Sequence, residues 1–311
     1  MMNIALDLWN LLALMAVGFI VARLHGVGKG ADRVLSRLIF NVFLPAMLFA
    51  TMEQSDVHGV FSLTALVNIV QAIVLFVAFY LLAVKVFQQR DGTQTILALT
   101  ASYTNVGNLG VAYLAVTTGH PEAGAPIILF QMCVMAPLSF VLLERQTNGE
   151  DASVLREIAR AFTKPPIVGL LLGLAVALMR LAGMSVVLPS FIQAPLTMVV
   201  DATVPLLMVA LGVSFGLERL PRLTGEFVPM YAAVAGRVVI GPLLSWLLAL
   251  AFHLPTSAVL TAVVVGCFPT ANNVFIYAQR YGAGVETARD GVALSTVLSM
   301  PALLIAVALL G

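Results

Sequence analysis

Residues 97–116 read LALTASYTNVGNLGVAYLAV, an apolar run interrupted at its centre by Asn105, Gly107, Asn108 and Gly110. Glycine and asparagine are poor helix formers, and a break in a lipid-exposed helix would leave backbone polar groups without hydrogen-bond partners. Such a break is stable only where it is enclosed by protein or lines a water-filled cavity. The run therefore predicts a membrane helix with an enclosed interruption.

A second run, AVLTAVVVGCFPTANNVFIYAQRYG at 258–282, repeats the feature with Gly266, Pro269, Asn272 and Asn273. Proline removes one helical hydrogen bond and clashes with the preceding turn, so this helix should also break. Paired breaks in two halves of a chain are typical of a transporter's substrate site, where half-helix N-termini favour an anion. The alternative is a pair of ordinary packing kinks, which leaves their matching positions unexplained.

The composition places the whole chain in lipid. Of its 311 residues, 60% are hydrophobic and 10% are charged, and the mean hydropathy is +1.02. Soluble domains carry roughly 25% charged residues, so this chain could not cover a water-facing surface. The fold class expected is therefore an all-α integral membrane protein. The net charge of +1 gives no basic field for a nucleic-acid partner.

Several chemical classes find no support in the sequence. Cys133 and Cys267 lie in apolar runs, so neither a disulfide framework nor a cysteine metal site is predicted. The chain has no HExxH, GxSxG or Walker motif, so we expect neither an enzyme nor a bound cofactor. The first apolar run follows no basic segment and should remain a membrane helix rather than a cleaved signal peptide.

A spanning helix needs about 20 mostly apolar residues. About ten transmembrane helices are predicted on this basis, at 5–23, 34–53, 60–86, 95–118, 124–144, 165–182, 192–217, 227–252, 256–280 and 287–310. The polar segment 146–164 separates a first half, 1–145, from a second half, 165–311. Each half holds five spans, and because five is odd the halves must enter the membrane in opposite directions. This is the pattern of an inverted repeat, with the interrupted helices fourth and ninth.

Basic residues predict the orientation. Fourteen of the sixteen lysines and arginines fall in odd-numbered loops or the adjoining helix ends: Arg23, Lys29, Arg33, Arg37, Lys85, Arg90, Arg145, Arg156, Arg160, Lys164, Arg219, Arg222, Arg280 and Arg289. Arg180 falls in an even-numbered loop, and Arg237 lies inside a span. Because cytoplasmic loops carry the excess of positive charge, both termini should be periplasmic in a bacterial inner membrane.

Three stretches of this sequence resemble the auxin efflux carrier family. They are Pro269-x-Ala271-Asn272-x-Val274, continued to Tyr281-Gly282, FNVFLPAMLFA at 40–50 and YTNVGNLGVAYL at 103–114. The bacterial branch of that family includes malonate and malate permeases. The resemblance implies two inverted five-helix repeats, a scaffold domain, a transport domain with crossed broken helices, frequent homodimers and organic-acid substrates. Plant members carry a proline at both breaks, whereas this chain has Gly107 and Gly110 at the first.

Asp201 and Arg237 are the ionisable acid and base that fall well inside predicted spans. Burying either at the bilayer centre costs about 2.5–3.5 kcal/mol on insertion scales, so each needs a partner or a wet cavity. Three interpretations stay open: a structural Asp201–Arg237 ion pair, proton coupling at Asp201, or substrate binding by Arg237. Asn41 and Gln131 are candidates to line the cavity, although such amides also bond across helix interfaces.

The sequence therefore predicts a secondary carrier of small organic anions that works by alternating access. Coupling to H⁺ or Na⁺ is open. The alternative is a sodium-coupled carrier with an architecture like that of bile-acid symporters, because Asn, Thr and backbone carbonyls at the breaks could supply oxygen ligands. The expected partners are the organic anion, the lipid bilayer and, from the resemblance, a second copy of the chain.

Overall fold

The computed structural model describes residues 2–53, 62–106, 110, 114, 117–148, 159, 162–184, 186, 188–217 and 227–310. All regular elements within these ranges are helices. They are α1 Met2–Arg23, α2 Ala31–Glu53, α3 Leu63–Lys85, α4 Thr93–Ser102, α5 Pro126–Thr147, α6 Pro165–Leu181, α7 Ser190–Leu217, α8 Val228–Ala251, α9 Thr256–Gly266, α10 Asn273–Tyr281 and α11 Val285–Leu310. Gly107 and Asn108, two residues of the first predicted break, lie outside the described residues.

The long helices confirm a multi-pass membrane protein. Within the described residues, six helices are long and apolar enough to cross a bilayer, namely α2, α3, α5, α7, α8 and α11, with 22 to 28 residues each. Shorter apolar helical stretches are Ala13–Arg23, α6 and α9. A helix of 11 residues such as α9 reaches only about half the hydrocarbon thickness, because each residue rises about 1.5 Å. The count of ten spans and the inverted repeat stay predictions.

The chain divides into two compact units that interleave along the sequence. The first comprises 1–57, 132–141 and 151–220, and the second comprises 58–131, 142–150 and 221–311. Both predicted breaks belong to the second unit. Each unit contains residues from both halves of the chain. The predicted boundaries 1–145, 146–164 and 165–311 separate sequence repeats, not these compact units, and they stay a prediction.

Glycines bring helices of the first unit into backbone contact. A β-carbon added to Gly212 of α7 would lie 1.9 Å from the carbonyl oxygen of Met15 in α1. One added to Gly173 of α6 would lie 2.3 Å from the carbonyl oxygen of Phe49 in α2. Gly216 follows Gly212 by four residues on the same helix face, and α6 shows the same spacing. Small residues at this interval let membrane helices pack closely through van der Waals contact.

The second unit is built around α3, α4 and α8. Leu75 and Phe79 of α3 pack with Leu97 and Ala101 of α4 and with Ala233 of α8, and each is at most 5% exposed. Apolar packing on α4 fixes the helix whose C-terminal end leads into the first break. The core therefore positions the residues considered next.

Candidate functional site

Both predicted helix interruptions are present in the second unit. Helix α4 ends at Ser102, and its C-cap residue Tyr103 has an extended backbone. Helix α9 ends at Gly266, and α10 starts only at Asn273. Because Pro269 cannot donate a helical hydrogen bond, the chain between α9 and α10 leaves the helical path where the sequence predicted.

The two breaks pair with each other through backbone atoms. The N–H of Asn105 donates to the carbonyl oxygen of Pro269 at 2.8 Å, and the N–H of Ala271 donates to the carbonyl oxygen of Tyr103, also at 2.8 Å. These bonds form a short antiparallel bridge, which we call the crossover and define as residues 103–105 with 269–271. The crossover gives partners to backbone groups that the interruptions release from their helices.

Thr104 and Thr270 form the central pair of the crossover. The Thr270 hydroxyl donates to the carbonyl oxygen of Thr100 in α4 at 2.6 Å, and its N–H donates to the Ser295 hydroxyl in α11 at 3.1 Å. Side chains thus attach the crossover to two neighbouring helices. Neither threonine is among the predicted site residues, although Thr104 adjoins Asn105 and Thr270 adjoins Pro269.

Three of the predicted site asparagines are buried at the crossover. Asn105 is 4% exposed, and Asn272 and Asn273 are each 5% exposed. The Nδ2 group of Asn105 has no hydrogen-bond partner among the described residues. A buried donor without a partner costs about 1–3 kcal/mol, so an acceptor atom of a ligand would bind favourably there.

Gly110 follows the first break and lies against Phe268. A β-carbon added to Gly110 would lie 2.6 Å from the Phe268 ring, and its N–H donates to the carbonyl oxygen of Asn105 at 3.2 Å. Glycine is therefore required by close packing at this position. The part that Gly110 plays in substrate binding stays a prediction.

Two tyrosine rings pack together at the crossover. Tyr103 and Tyr277 meet edge to face with ring centroids 6.1 Å apart, and the Tyr277 hydroxyl lies beside Asn273. The Tyr103 hydroxyl points to the carbonyl oxygen of Gln131 at 3.5 Å. Gln131, a predicted cavity residue, is 2% exposed, and its Nε2 has no partner among the described residues. Its position next to Tyr103 is consistent with a polar lining.

Arg237 makes its hydrogen bonds to the crossover and to the helix ends that enter it. Its Nη1 donates to the Thr104 hydroxyl at 2.8 Å and to the Ser102 carbonyl oxygen at 3.3 Å, and its Nη2 donates to the Gly266 carbonyl oxygen at 2.6 Å. The side chain is fully buried. It stands in a π-helical turn, Gly236–Ile240, a feature frequent at functional sites.

Asp201 and Asn41 lie in the first unit. Asp201 is exposed on α7, and Asn41 is exposed within a π-helical turn of α2, where its Nδ2 donates to the Arg37 carbonyl oxygen at 2.7 Å. The Asn41 side chain is therefore satisfied by its own helix. The Asp201–Arg237 pairing stays a prediction, because the two residues belong to different units.

Arg289 and Asp290 form a buried ion pair that sequence reasoning missed. The Arg289 Nε donates to Asp290 Oδ1 at 2.6 Å, and the residues are 1% and 2% exposed. The pattern of basic residues predicts Arg289 at a cytoplasmic helix end, because hydropathy does not show which side chains at a helix start face protein. The second carboxylate oxygen, Oδ2, has no partner among the described residues.

Metal ligands do not cluster in the part of the chain that the structure describes. No group of three or more His, Cys, Asp or Glu side chains is arranged to hold an ion there. The polar atoms at the crossover are instead amides, hydroxyls and carbonyls. These groups suit hydrogen bonding to a small polar ligand.

Comparison with known proteins identifies the family. The profile of the family described as Membrane transport protein matches residues 4–307. The chain belongs to this family, the auxin efflux carriers. A relative from Rhizobium meliloti, named "Putative malonate transporter", is 26% identical, and the match covers 92% of this chain and 89% of the relative. The uncharacterized transporter YfdV of Escherichia coli is 23% identical, covering 94% and 92%.

A third relative is similar over nearly its full length. An uncharacterized transporter of Methanocaldococcus jannaschii is 23% identical, covering 93% of each chain. The similarity thus runs nearly end to end and includes both helix breaks. This member of the family is a membrane transporter and not an enzyme, as the sequence predicted.

Proposed function

We propose that the protein is a secondary active transporter of small organic anions, with short dicarboxylates such as malonate as the first class to test. The observation that carries the proposal is the crossover, where two interrupted helices pair and bury Asn105, Asn272 and Asn273. Half-helix ends and amide donors at one place suit a carboxylate, which accepts several hydrogen bonds. The name of the Rhizobium relative supports the choice of malonate.

Several finer features belong to the same proposal. Transport proceeds by alternating access around the crossover, in a bacterial inner membrane with both termini periplasmic. The driving force is an ion or substrate gradient, with Asp201 as the candidate proton carrier. Asn108 and Gly107 complete the substrate site with Asn105, Gly110 and the second break. The family resemblance supports assembly as a homodimer.

Uptake by purified protein in liposomes tests this function. Radiolabelled malonate should accumulate with saturation and be competed by malate more strongly than by acetate or an indole acid. A thermal-unfolding screen of the same ligands should show a higher transition temperature with each transported acid, because a ligand that binds the folded state stabilises it. Each organic acid is tested with a proton gradient, with a sodium gradient and with internal substrate for exchange. The proposal is rejected if uptake never exceeds that of protein-free liposomes.

A further inference from the structure

Two helix C-termini meet at one guanidinium group. Ser102 is the last residue of α4 and Gly266 the last residue of α9, and the carbonyl oxygens of both accept hydrogen bonds from Arg237. The last four carbonyls of a helix have no partner within it, and the helix end carries about half a negative charge. A cation at this point is therefore favoured by both charge and hydrogen bonding.

The guanidinium group is held in one position. A β-carbon added to Gly241 would lie 3.0 Å from Arg237 Nη2, 3.0 Å from the Gly266 carbonyl oxygen and 2.9 Å from Gln71 Nε2. On the preceding turn, one added to Gly236 would lie 2.3 Å from the Phe79 ring. This packing leaves the Arg237 side chain little freedom to follow a moving ligand.

The buried charge of Arg237 is balanced by carbonyl groups. Among the described residues of the second unit, no carboxylate pairs with it, and the ion pair found there joins Arg289 to Asp290. A buried cation without compensation would be strongly destabilising. The ends of α4 and α9, with the Thr104 hydroxyl, therefore supply the compensation. Carbonyls at broken-helix ends are also the ligands with which ion-coupled carriers hold Na⁺.

We propose that Arg237 is the resident cation of the crossover and takes the place that a coupling Na⁺ would occupy, so that substrate binding and transport need no sodium. The inference rests on the proposed function and concerns its coupling. Arg237 is a positioning residue: it holds the two half-helix ends and Thr104 and places a permanent positive charge beside the anion site. In a sodium-coupled carrier the same charge would arrive with each transported ion.

Malonate binding to the purified protein tests sodium independence first. Affinity measured by calorimetry in sodium chloride should match that in potassium or choline chloride at equal ionic strength. A gain of about tenfold or more in sodium, which is about 1.4 kcal/mol, would overturn the proposal, because it would require a sodium site in addition to the arginine.

Replacing Arg237 tests its role directly. Arg237→Ala should lower malonate affinity by roughly ten- to hundredfold, because the positive charge beside the anion site and the anchoring of the two helix ends are lost together. Millimolar guanidinium should restore part of that affinity, whereas urea, a neutral molecule of the same shape, should not. Arg37→Ala, which removes an exposed arginine of α2, is the control and should bind malonate as the unmodified protein does.

The outcomes separate the possible roles. Affinity unchanged in correctly folded Arg237→Ala would show that Arg237 is only structural and overturn the proposal, as would equal rescue by urea and guanidinium. Should the unmodified protein bind no organic acid, the proposed function fails, and thermal unfolding then tests the inference alone. In that case the transition temperature of Arg237→Ala, but not of the unmodified protein, should rise with millimolar guanidinium relative to urea; an equal response of both would overturn it.

Discussion

The backbone N–H of Asn105 donates a 2.8 Å hydrogen bond to the carbonyl oxygen of Pro269. This bond joins two helix breaks that lie far apart in the sequence. It uses main-chain atoms, so the Asn105 amide group remains available for a ligand. Side-chain substitutions at the crossover should therefore change binding without cutting the connection between the breaks.

Asn105→Ala and Asn272→Ala should each weaken malonate uptake. Both amides are buried, and removing a buried hydrogen-bond partner typically costs about 1–3 kcal/mol, or roughly a five- to hundredfold change in affinity. Asn108→Ala is expected to behave in the same way. The measurement is the substrate concentration for half-maximal uptake in liposomes, normalised to the amount of inserted protein.

Asn10→Ala provides the matched control, because Asn10 is exposed on α1 in the first unit. Its uptake should equal that of the unmodified chain. Similar small losses for all of these asparagine variants would place the substrate away from the crossover and leave the breaks as structural kinks.

Thr104→Val should destabilise the folded protein. Valine keeps the shape of threonine but removes the hydroxyl that accepts from Arg237, which leaves a buried charged donor short of a partner. The expected loss is about 1–3 kcal/mol in the free energy of unfolding. Thermal unfolding in detergent should show a lower transition temperature. Thr197→Val is the comparison, since Thr197 is exposed and bonds only within its own helix; equal stability of both variants would contradict the role of Thr104.

Asp201→Asn should abolish proton-driven accumulation if Asp201 carries the coupling proton. Asparagine has the same size as aspartate, but its side chain does not gain or lose a proton at the pH values of a transport assay. An inward proton gradient should drive uptake by the unmodified protein but not by the variant, while exchange of internal for external malonate continues in both. Proton-driven uptake that persists in Asp201→Asn would exclude this residue as the proton carrier.

Both chain termini should be periplasmic. Fourteen of sixteen basic residues fall on the side predicted to be cytoplasmic, and such a bias sets orientation. Alkaline phosphatase fused after Gly311 should be active, because it folds only outside the cytoplasm, whereas green fluorescent protein at the same place should be dark. Bright fluorescence of the latter fusion would mean that the number of spans is odd or that the topology is inverted.

Gly212→Ala should disrupt the packing of α7 on α1. The added methyl group would lie 1.9 Å from the Met15 carbonyl oxygen, so the helices must separate. Overpacking of this kind typically costs about 1–3 kcal/mol. The transition temperature should fall, whereas Gly28→Ala should leave it nearly unchanged, because no atom lies within 4 Å of a β-carbon at Gly28. A loss of the same size in both variants would argue against the close contact.

The breaks were predictable because their residues conflict with their surroundings. Asn105 and Pro269 are poor or impossible helix formers inside apolar runs, and this local conflict can be read without a structure. Their register was not predictable. That Asn105 pairs with Pro269, and Ala271 with Tyr103, depends on how α4, α9 and α10 approach one another, and no local preference encodes it.

Buried charges were only half predictable. A lone arginine inside an apolar run must find compensation, so the importance of Arg237 follows from the sequence. Its partners do not, because they are main-chain carbonyls that look alike at every position. The Arg289–Asp290 ion pair was not predictable, because both residues lie near the start of α11, where a hydropathy pattern assigns charged residues to solvent.

The crossover has a consequence for how such proteins diversify. Its two connecting bonds join Asn105 to Pro269 and Ala271 to Tyr103 through main-chain atoms alone. Mutation at position 105 or 271 can therefore alter the surface offered to a ligand while the strands stay joined. Relatives that share only about a quarter of their residues can therefore bind different acids with the same backbone crossover. The substrate of a relative is then the first compound to assay and does not by itself identify the substrate of this protein.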